Sequence, residues 1–280
     1  MTGARRPLEL AAVAVLALAT LALLAGGCTA KSDGGGLEPL VSPPVIGEAG
    51  VLRVGVDLDY PPFAGTDRGV EAGIDVDVAG AVAERLGLEL ELVDVGPTGG
   101  ASALTSGTVD IALAATPITD AVLANVSSAG SYLINGPAIY SVVASGSVAP
   151  TMTVEMLVGK RIGVQKESAA YWTLESDFGE GYATAFPTLR EALDALAAAQ
   201  VDVVIGDAAV AAYIARDLDN VKFAGQFGPA QPLGIMVKKD ATDLETAVRT
   251  VLDELASEGV LATIRNKWLG DLPELTVATE

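Results

Sequence analysis

The chain has 280 residues, half of them apolar and 5% aromatic, with a formal charge of -19, no histidine and one cysteine. That length supports a sizeable core and two compact units, and the acidity argues against nucleic acid as a partner. The missing histidines and lone Cys28 exclude an intrachain disulfide and imidazole-based metal or nucleophile chemistry, so no cofactor or metal is expected.

In chain order, Leu10 to Leu24 is an apolar run preceded by Arg5 and Arg6 and followed by Gly26, Gly27 and Cys28. It is too short to span a bilayer comfortably and reads as a signal peptide over 1–27. The stretch "LLAGGC" resembles a bacterial lipoprotein signal, although Ala25 stands where leucine is usual. Cys28 would then be acylated and hold the protein on the bilayer; the alternative is an ordinary secretory signal with a free thiol. Residues 28–49, rich in Gly, Ser and Pro and without apolar period, predict a flexible tether.

A weak internal repeat follows. "LRVGVD" (52–57) pairs with "KRIGVQ" (160–165), and "TVDIALAA" (108–115) with "QVDVVIGD" (200–207). Each is a β-branched run suited to a strand buried on both faces. Between them, Ile74, Val78, Val82 and Leu86 form a helical stripe ended by Gly87. Thr188 and Glu191 form a capping box ahead of Leu189, Leu193 and Leu196. Strands alternating with helices, repeated twice, predict two α/β lobes with parallel sheets. Ligands in such sheets bind beyond the carboxyl ends of strands, which marks the residues after Val56, Leu113, Val164 and Ile205.

From about Gly50 to Gly270 the chain resembles the extracellular solute-binding proteins of family 3, the receptors that feed amino-acid ABC importers. The carriers are "VGVDLDYPPF", "GIDVDVAGAVAERLG", "GTVDIALAATPIT", "VGKRIGVQKES", "VDVVIGD", "PLGIMVKKD" and "SEGVLATIRNKWLG", in the family's order. The resemblance implies an α/β, two-lobed, type II periplasmic-binding-protein-like clamp, each lobe a parallel-dominated sheet with flanking helices. Lobe 1 would take 50–138 and a return segment 240–280, with lobe 2 at 139–239. It further implies a monomeric, lipid-anchored, extracytoplasmic receptor without catalysis. Lobe closure on a small solute would be read by an ABC permease in the membrane.

By the same resemblance, Asp57 and Tyr60 occupy solute positions of lobe 1, and Asp207 matches the aspartate that holds a solute amino group. Without the resemblance, Asp57 is a turn aspartate, Tyr60 a ring in the local core and Asp207 a helix N-cap. Ser168 lies where the family offers hydroxyl and backbone donors at a helix start, but Glu167 and Ala169 replace its usual glycine and second hydroxyl. Thr116 and Thr119 belong to the segment that aligns with the family's carboxylate grip. There Pro117 replaces a Ser or Thr and Val122 replaces an Arg, so an α-carboxylate loses its bidentate partner.

Three outcomes stay open. Lys166 could replace the arginine; the solute could carry an amine without an α-carboxylate, matched by Asp57 and Asp207 with Asp59, Asp120 or Glu167; or the protein could be a sensor or accessory lipoprotein with a lost ligand. The same clamp also hosts a dehydratase, with Asp57, Glu167 or Asp207 as acid or base, against which stands the absence of any hydroxyl beside a base.

Overall fold

The computed structural model describes residues 38–144, 146–147 and 149–277. The predicted signal peptide, Cys28 and the tether as far as residue 37 lie outside the described residues. Residues 38–49, expected as tether, instead dock on the first lobe. Leu40 N donates to Leu86 O at 2.9 Å, Gly47 N donates to Asp110 Oδ1 at 2.8 Å, and Val41 and Ile46 are buried. Those apolar side chains set this stretch apart from a polar linker, because their burial offsets the cost of ordering it.

Twelve strands are described: β1 (Val51–Val56), β2 (Gly65–Asp67), β3 (Val70–Ala72), β4 (Glu89–Asp94), β5 (Ile111–Ala112), β6 (Val126–Asn135), β7 (Pro137–Val142), β8 (Ile162–Gln165), β9 (Thr184–Phe186), β10 (Val203–Asp207), β11 (Val221–Gln226) and β12 (Gln231–Lys238). The α-helices are α1 (Ile74–Leu86), α2 (Gly100–Ser106), α3 (Asp120–Leu123), α4 (Ala169–Phe178), α5 (Leu189–Ala197), α6 (Ala208–Ala215), α7 (Thr242–Ser257) and α8 (Val260–Leu269). One sheet has the order β4-β1-β5-β12-β6 and the other β11-β7-β10-β8-β9, with β2-β3 a small hairpin. Read from opposite ends, the two sheets match position for position. In each, one strand, β12 or β7, runs against the others.

The expected helices form as their sequences dictate. Ile74, Val78, Val82 and Leu86 are buried, and Gly87 takes the left-handed cap conformation at φ 70°. Thr188 Oγ1 accepts from Glu191 N at 3.1 Å at the start of α5, whose Leu189, Leu193 and Leu196 are buried. A single hydrophobic cluster runs through both lobes.

The two crossings between sheets fall at other places than the sequence reading put them. β6 belongs to the first sheet and β7 to the second, so the chain leaves at Gly136 rather than near 139. It returns between Gln226 and Gln231 rather than near 239, because β12 pairs with β5 and β6. The crossings touch: a Cβ on Gly136 would stand 2.7 Å from Ala230 Cα. The return segment, expected wholly in lobe 1, ends against lobe 2, where Thr276 N donates to Gln226 Oε1 at 2.8 Å and Gln226 Nε2 donates to Thr276 O at 2.7 Å.

The repeat carries an ion pair at the amino ends of the strands in each lobe. Arg53 Nη2 lies 2.8 Å from Asp110 Oδ1, and Arg161 Nη2 lies 2.6 Å from Asp202 Oδ1. Each aspartate also accepts from the backbone N–H of its own arginine, at 3.0 Å and 2.8 Å. The first pair is shielded, with side chains 19% and 5% exposed; the second is open, at 58% and 35%. Breaking a buried pair costs about 3 to 5 kcal/mol, whereas an exposed one contributes about 0 to 1. Urea denaturation should therefore show Asp110→Asn destabilised by several kcal/mol and Asp202→Asn by less than about one.

Candidate functional site

The carboxyl ends of the strands carry acids. Asp57 follows β1, is buried, and accepts from Asp59 N through Oδ1 at 3.2 Å. Three residues on, the Tyr60 ring stacks on buried Phe63 at a centroid separation of 5.1 Å and remains 37% exposed. The turn that carries Tyr60 is tied to the first turn of α1, with Ile74 N donating to Pro62 O at 2.9 Å and Asp75 N to Phe63 O at 2.8 Å. Gly73 permits that approach, since a Cβ there would stand 2.0 Å from Phe63 O.

Asp75 is fully buried, and neutral donors satisfy it. Tyr132 Oη donates to Oδ1 at 2.6 Å and Ala115 N donates to Oδ2 at 2.9 Å. Burial raises its pKa to about 6, with a further push from the charge of Asp57 and opposition from the two hydrogen bonds. The second of those bonds anchors a strained loop: Ala114 and Ala115 are consecutive non-glycine residues at φ 47° and 48°. Such left-handed geometry costs on the order of 1 to 2 kcal/mol per residue.

Across the lobes, Asp207 ends β10. Its Oδ1 accepts from Val210 N at 2.9 Å, so it is the N-cap of α6, and its Oδ2 accepts from Asn135 Nδ2 at 2.6 Å. Burial raises its pKa, while the N–H groups of Val210 and Ala209 and the Asn135 amide pull it down. The Tyr60 hydroxyl registers the whole set: loss of water first, then the charges of Asp207, Asp57 and Asp75, hold its pKa well above the usual phenol value. The charges that raise it are carboxylates from both lobes.

Asp57, Tyr60 and Asp207 thus come together, joined by Asp75, Tyr132 and Asn135, which the sequence reading did not single out. A signal for Asp75 existed, because it shares the buried face of α1 with Val78 and Val82, where an unpaired carboxylate is out of place. Among the described residues, no hydrogen bond or ion pair joins the side chains of Thr116, Thr119, Lys166 or Ser168 to Asp57, Asp75 or Asp207, although Thr116 directly follows Ala115, which binds Asp75. Thr116 O accepts from Gly234 N at 2.9 Å, and Thr119 caps α3 through Val122 N at 3.4 Å. Ser168 caps α4, accepting from Tyr171 N at 3.1 Å and donating to Gln165 O at 2.8 Å, so its hydroxyl proton is engaged. Lys166 is exposed and sits 3.4 Å from Glu167. Val122 packs against the small cluster of Leu104, Val109 and Met236.

A cavity of about 610 Å³ lies elsewhere, between Tyr140, Phe223 and the turn at Leu269–Pro273, and contains none of these residues. We place the site at the strand ends because carboxylates from both lobes converge there about the part-exposed Tyr60 ring.

Two matching α/β lobes joined by two crossings form the two-lobed fold of type II periplasmic binding proteins. The chain belongs to the bacterial extracellular solute-binding proteins, family 3, whose model matches residues 52–271. This is a family of amino-acid receptors of ABC transporters rather than of enzymes. The chain is 26% identical to the L-cystine-binding protein TcyJ of Escherichia coli over 226 residues, covering 80% of this chain and 84% of the relative. It is also 26% identical to the L-arginine-binding protein of Pseudomonas aeruginosa over 233 residues, or 78% and 87% of the two chains. An ancestral cationic amino acid solute binding protein superposes with a TM-score of 0.67 at 25% identity, over 79% of this chain and 96% of that one.

Asp75 yields a test of the site's electrostatics. Its folded pKa near 6 exceeds the ordinary aspartate value of 3.8, so the folded state binds the extra proton between those values, and stability falls as pH rises from about 4 to 6. Urea midpoints should show this decline, on the order of 2 to 3 kcal/mol, in the native protein and not in Asp75→Asn.

Proposed function

We propose that this protein is a lipid-anchored receptor that captures a small amine-bearing or amino-acid-like solute between its lobes and delivers it to an ABC importer. The observation that carries the solute class is the convergence of carboxylates from both lobes, Asp57 and Asp75 from one and Asp207 from the other, about the part-exposed Tyr60 ring. An ammonium or guanidinium entering there gains charge-assisted hydrogen bonds to Asp207 and Asp57 and a cation–π contact with the exposed ring.

The loop at 114–122 supports an amine without an α-carboxylate as the leading form. Four of its backbone donors are committed: Ala115 N to Asp75, Thr116 N to Leu113 O, Ile118 N to Pro232 O and Val122 N to Thr119. Pro117 has no N–H and Val122 no side-chain donor, so a carboxylate placed there would lack a bidentate cationic partner and meet at most the hydroxyls of Thr116 and Thr119. The relatives named for arginine and for cationic amino acids agree with a positively charged solute.

Anchoring rests on the lipoprotein-like "LLAGGC" and the short chain between Cys28 and the docked residues, a tether that would keep the receptor near its permease. Cys28→Ser should move the protein from the membrane fraction to the soluble one and abolish labelling by radioactive palmitate; unchanged membrane retention would overturn the anchor.

For the solute, thermal-shift and calorimetric titrations should show putrescine and agmatine raising the melting temperature more than arginine, which carries an α-carboxylate, while glutamate does not raise it. Asp207→Asn keeps the N-cap acceptor for Val210 but sets an NH2 group against the Asn135 amide, so it should lower the unliganded melting temperature modestly while weakening the best amine at least tenfold, about 1.4 kcal/mol. Micromolar binding of neutral α-amino acids in preference to amines would refute the reading of Pro117 and Val122.

A further inference from the structure

Asn135 is the last residue of β6, one position before the first crossing, and its side chain reaches out of the first sheet to the second lobe. Its Nδ2 donates to Asp207 Oδ2 at 2.6 Å and its Oδ1 accepts from Ala209 N at 3.1 Å. The next residue continues the attachment, with Gly136 O accepting from Ala208 N at 2.9 Å, and Pro137 stands opposite Asp207 in the β7–β10 ladder. The side chain is buried, so neither end of the amide exchanges freely with water. Only one amide orientation works: reversing it would set oxygen against the carboxylate and the NH2 group against a backbone N–H.

We propose that Asn135 is a positioning residue of the solute site, which orients the Asp207 carboxyl as an acceptor, favours its ionised form and ties its place to the pivot between the lobes. The proposal deepens the amine-receptor reading and rests on Asp207 as a solute contact. The N-cap bond to Val210 holds one carboxylate oxygen, leaving the other to rotate; the Asn135 amide holds it. Being neutral, the amide stabilises the charge without cancelling it, whereas a lysine or arginine in its place would consume the attraction meant for the solute. Each oxygen keeps a second lone pair for a ligand ammonium. Because the amide belongs to the crossing strand, a solute that draws on Asp207 draws on the pivot as well.

The groups facing Asp207 are the Tyr60 phenol from the turn after β1, the Tyr140 phenol from β7, the N–H groups of Ala209 and Val210 from α6, and Asn135 from β6. Both phenols are held protonated by burial and by carboxylate charge, so the groups of the site with raised pKa that titrate on the acid side are the carboxyls of Asp207 and Asp75, and the two are told apart by site-resolved signals. Loss of the Asn135 donor removes a contact favouring the ionised form, and Asp207 should then protonate at higher pH.

The test is a carbon-13 carboxyl NMR titration of the protein without ligand, with the Asp207 resonance assigned from Asp207→Asn. Asn135→Ala should titrate at least about half a unit higher than the native protein, and Asn135→Ser, which restores a hydroxyl donor, should fall between them. Calorimetric titration with putrescine across the same range should show the acid-side loss of affinity moving upward in step. Identical Asp207 titrations in native, alanine and serine proteins would overturn the proposal, whether or not putrescine binds. A shifted titration with no amine binding by the native protein would uphold the role of Asn135 at Asp207 and refute the solute class instead. Should the alanine variant fail to fold, the serine variant alone decides, through the same shift.

Discussion

Charge in this molecule is sorted along the strands. At the amino ends, each lobe matches an arginine to an aspartate, Arg53 to Asp110 and Arg161 to Asp202, in the same backbone arrangement. At the carboxyl ends, Asp57, Asp75 and Asp207 are held by neutral donors: a backbone amide, a phenol, a carboxamide. A carboxylate satisfied by neutral dipoles keeps its net charge, while one paired to a guanidinium spends it. The first arrangement stabilises the sheets, and the second leaves a negative field at the cleft that a cation from outside can satisfy. The desolvation that raises the pKa of Asp75 and Asp207 is the cost of holding that field ready.

The field has value for a receptor only if it changes when the lobes move. Tyr60 belongs to one lobe and Asp207 to the other, and the crossings at Gly136 and at Phe227–Ala230 set the geometry between them. The crossings approach so closely that Gly136 has no space for a Cβ beside Ala230, which leaves little room for sliding and favours rotation about the pair. The C-terminal segment adds a third link, from α8 in the first lobe to Gln226 at the end of β11. A cation held by carboxylates of both lobes would supply the differential contact that favours closure.

Much of this was legible in the sequence, and the remainder was hidden for a physical reason. The repeated strands, the stripe of α1, the cap of α5 and the placing of Asp57 and Asp207 at strand ends are local patterns, each contained in a few residues. The docking of Val41 and Ile46 was masked by the Gly and Pro around them, which mimic a linker. The sheet that β12 joins depends on pairing with β6, about a hundred residues earlier, and no local period encodes that. Asp75 with Tyr132, and Asp207 with Asn135, meet across 57 and 72 residues. Such pairs are invisible until the fold brings them together, although a carboxylate on a buried helical face was a sign that some partner existed.

The segment at 114–122 shows how one loop can exchange a ligand role for a structural one. Ala114 and Ala115 sit in left-handed geometry, Pro117 bridges to Leu233, and the N–H groups of Ala115, Thr116 and Ile118 point to acceptors within the protein. Val122 completes the change by packing on Leu104 and Met236, so an arginine there would have to leave an apolar cluster to reach the cleft. With four backbone donors turned inward, the loop has little beyond the hydroxyls of Thr116 and Thr119 to offer an anion. On the proposed reading, Asp57 and Asp207 are retained while the bidentate cation is lost, so the cleft would discriminate by sign of charge: a carboxylate would lack its partner, and an amine would meet carboxylates left unneutralised.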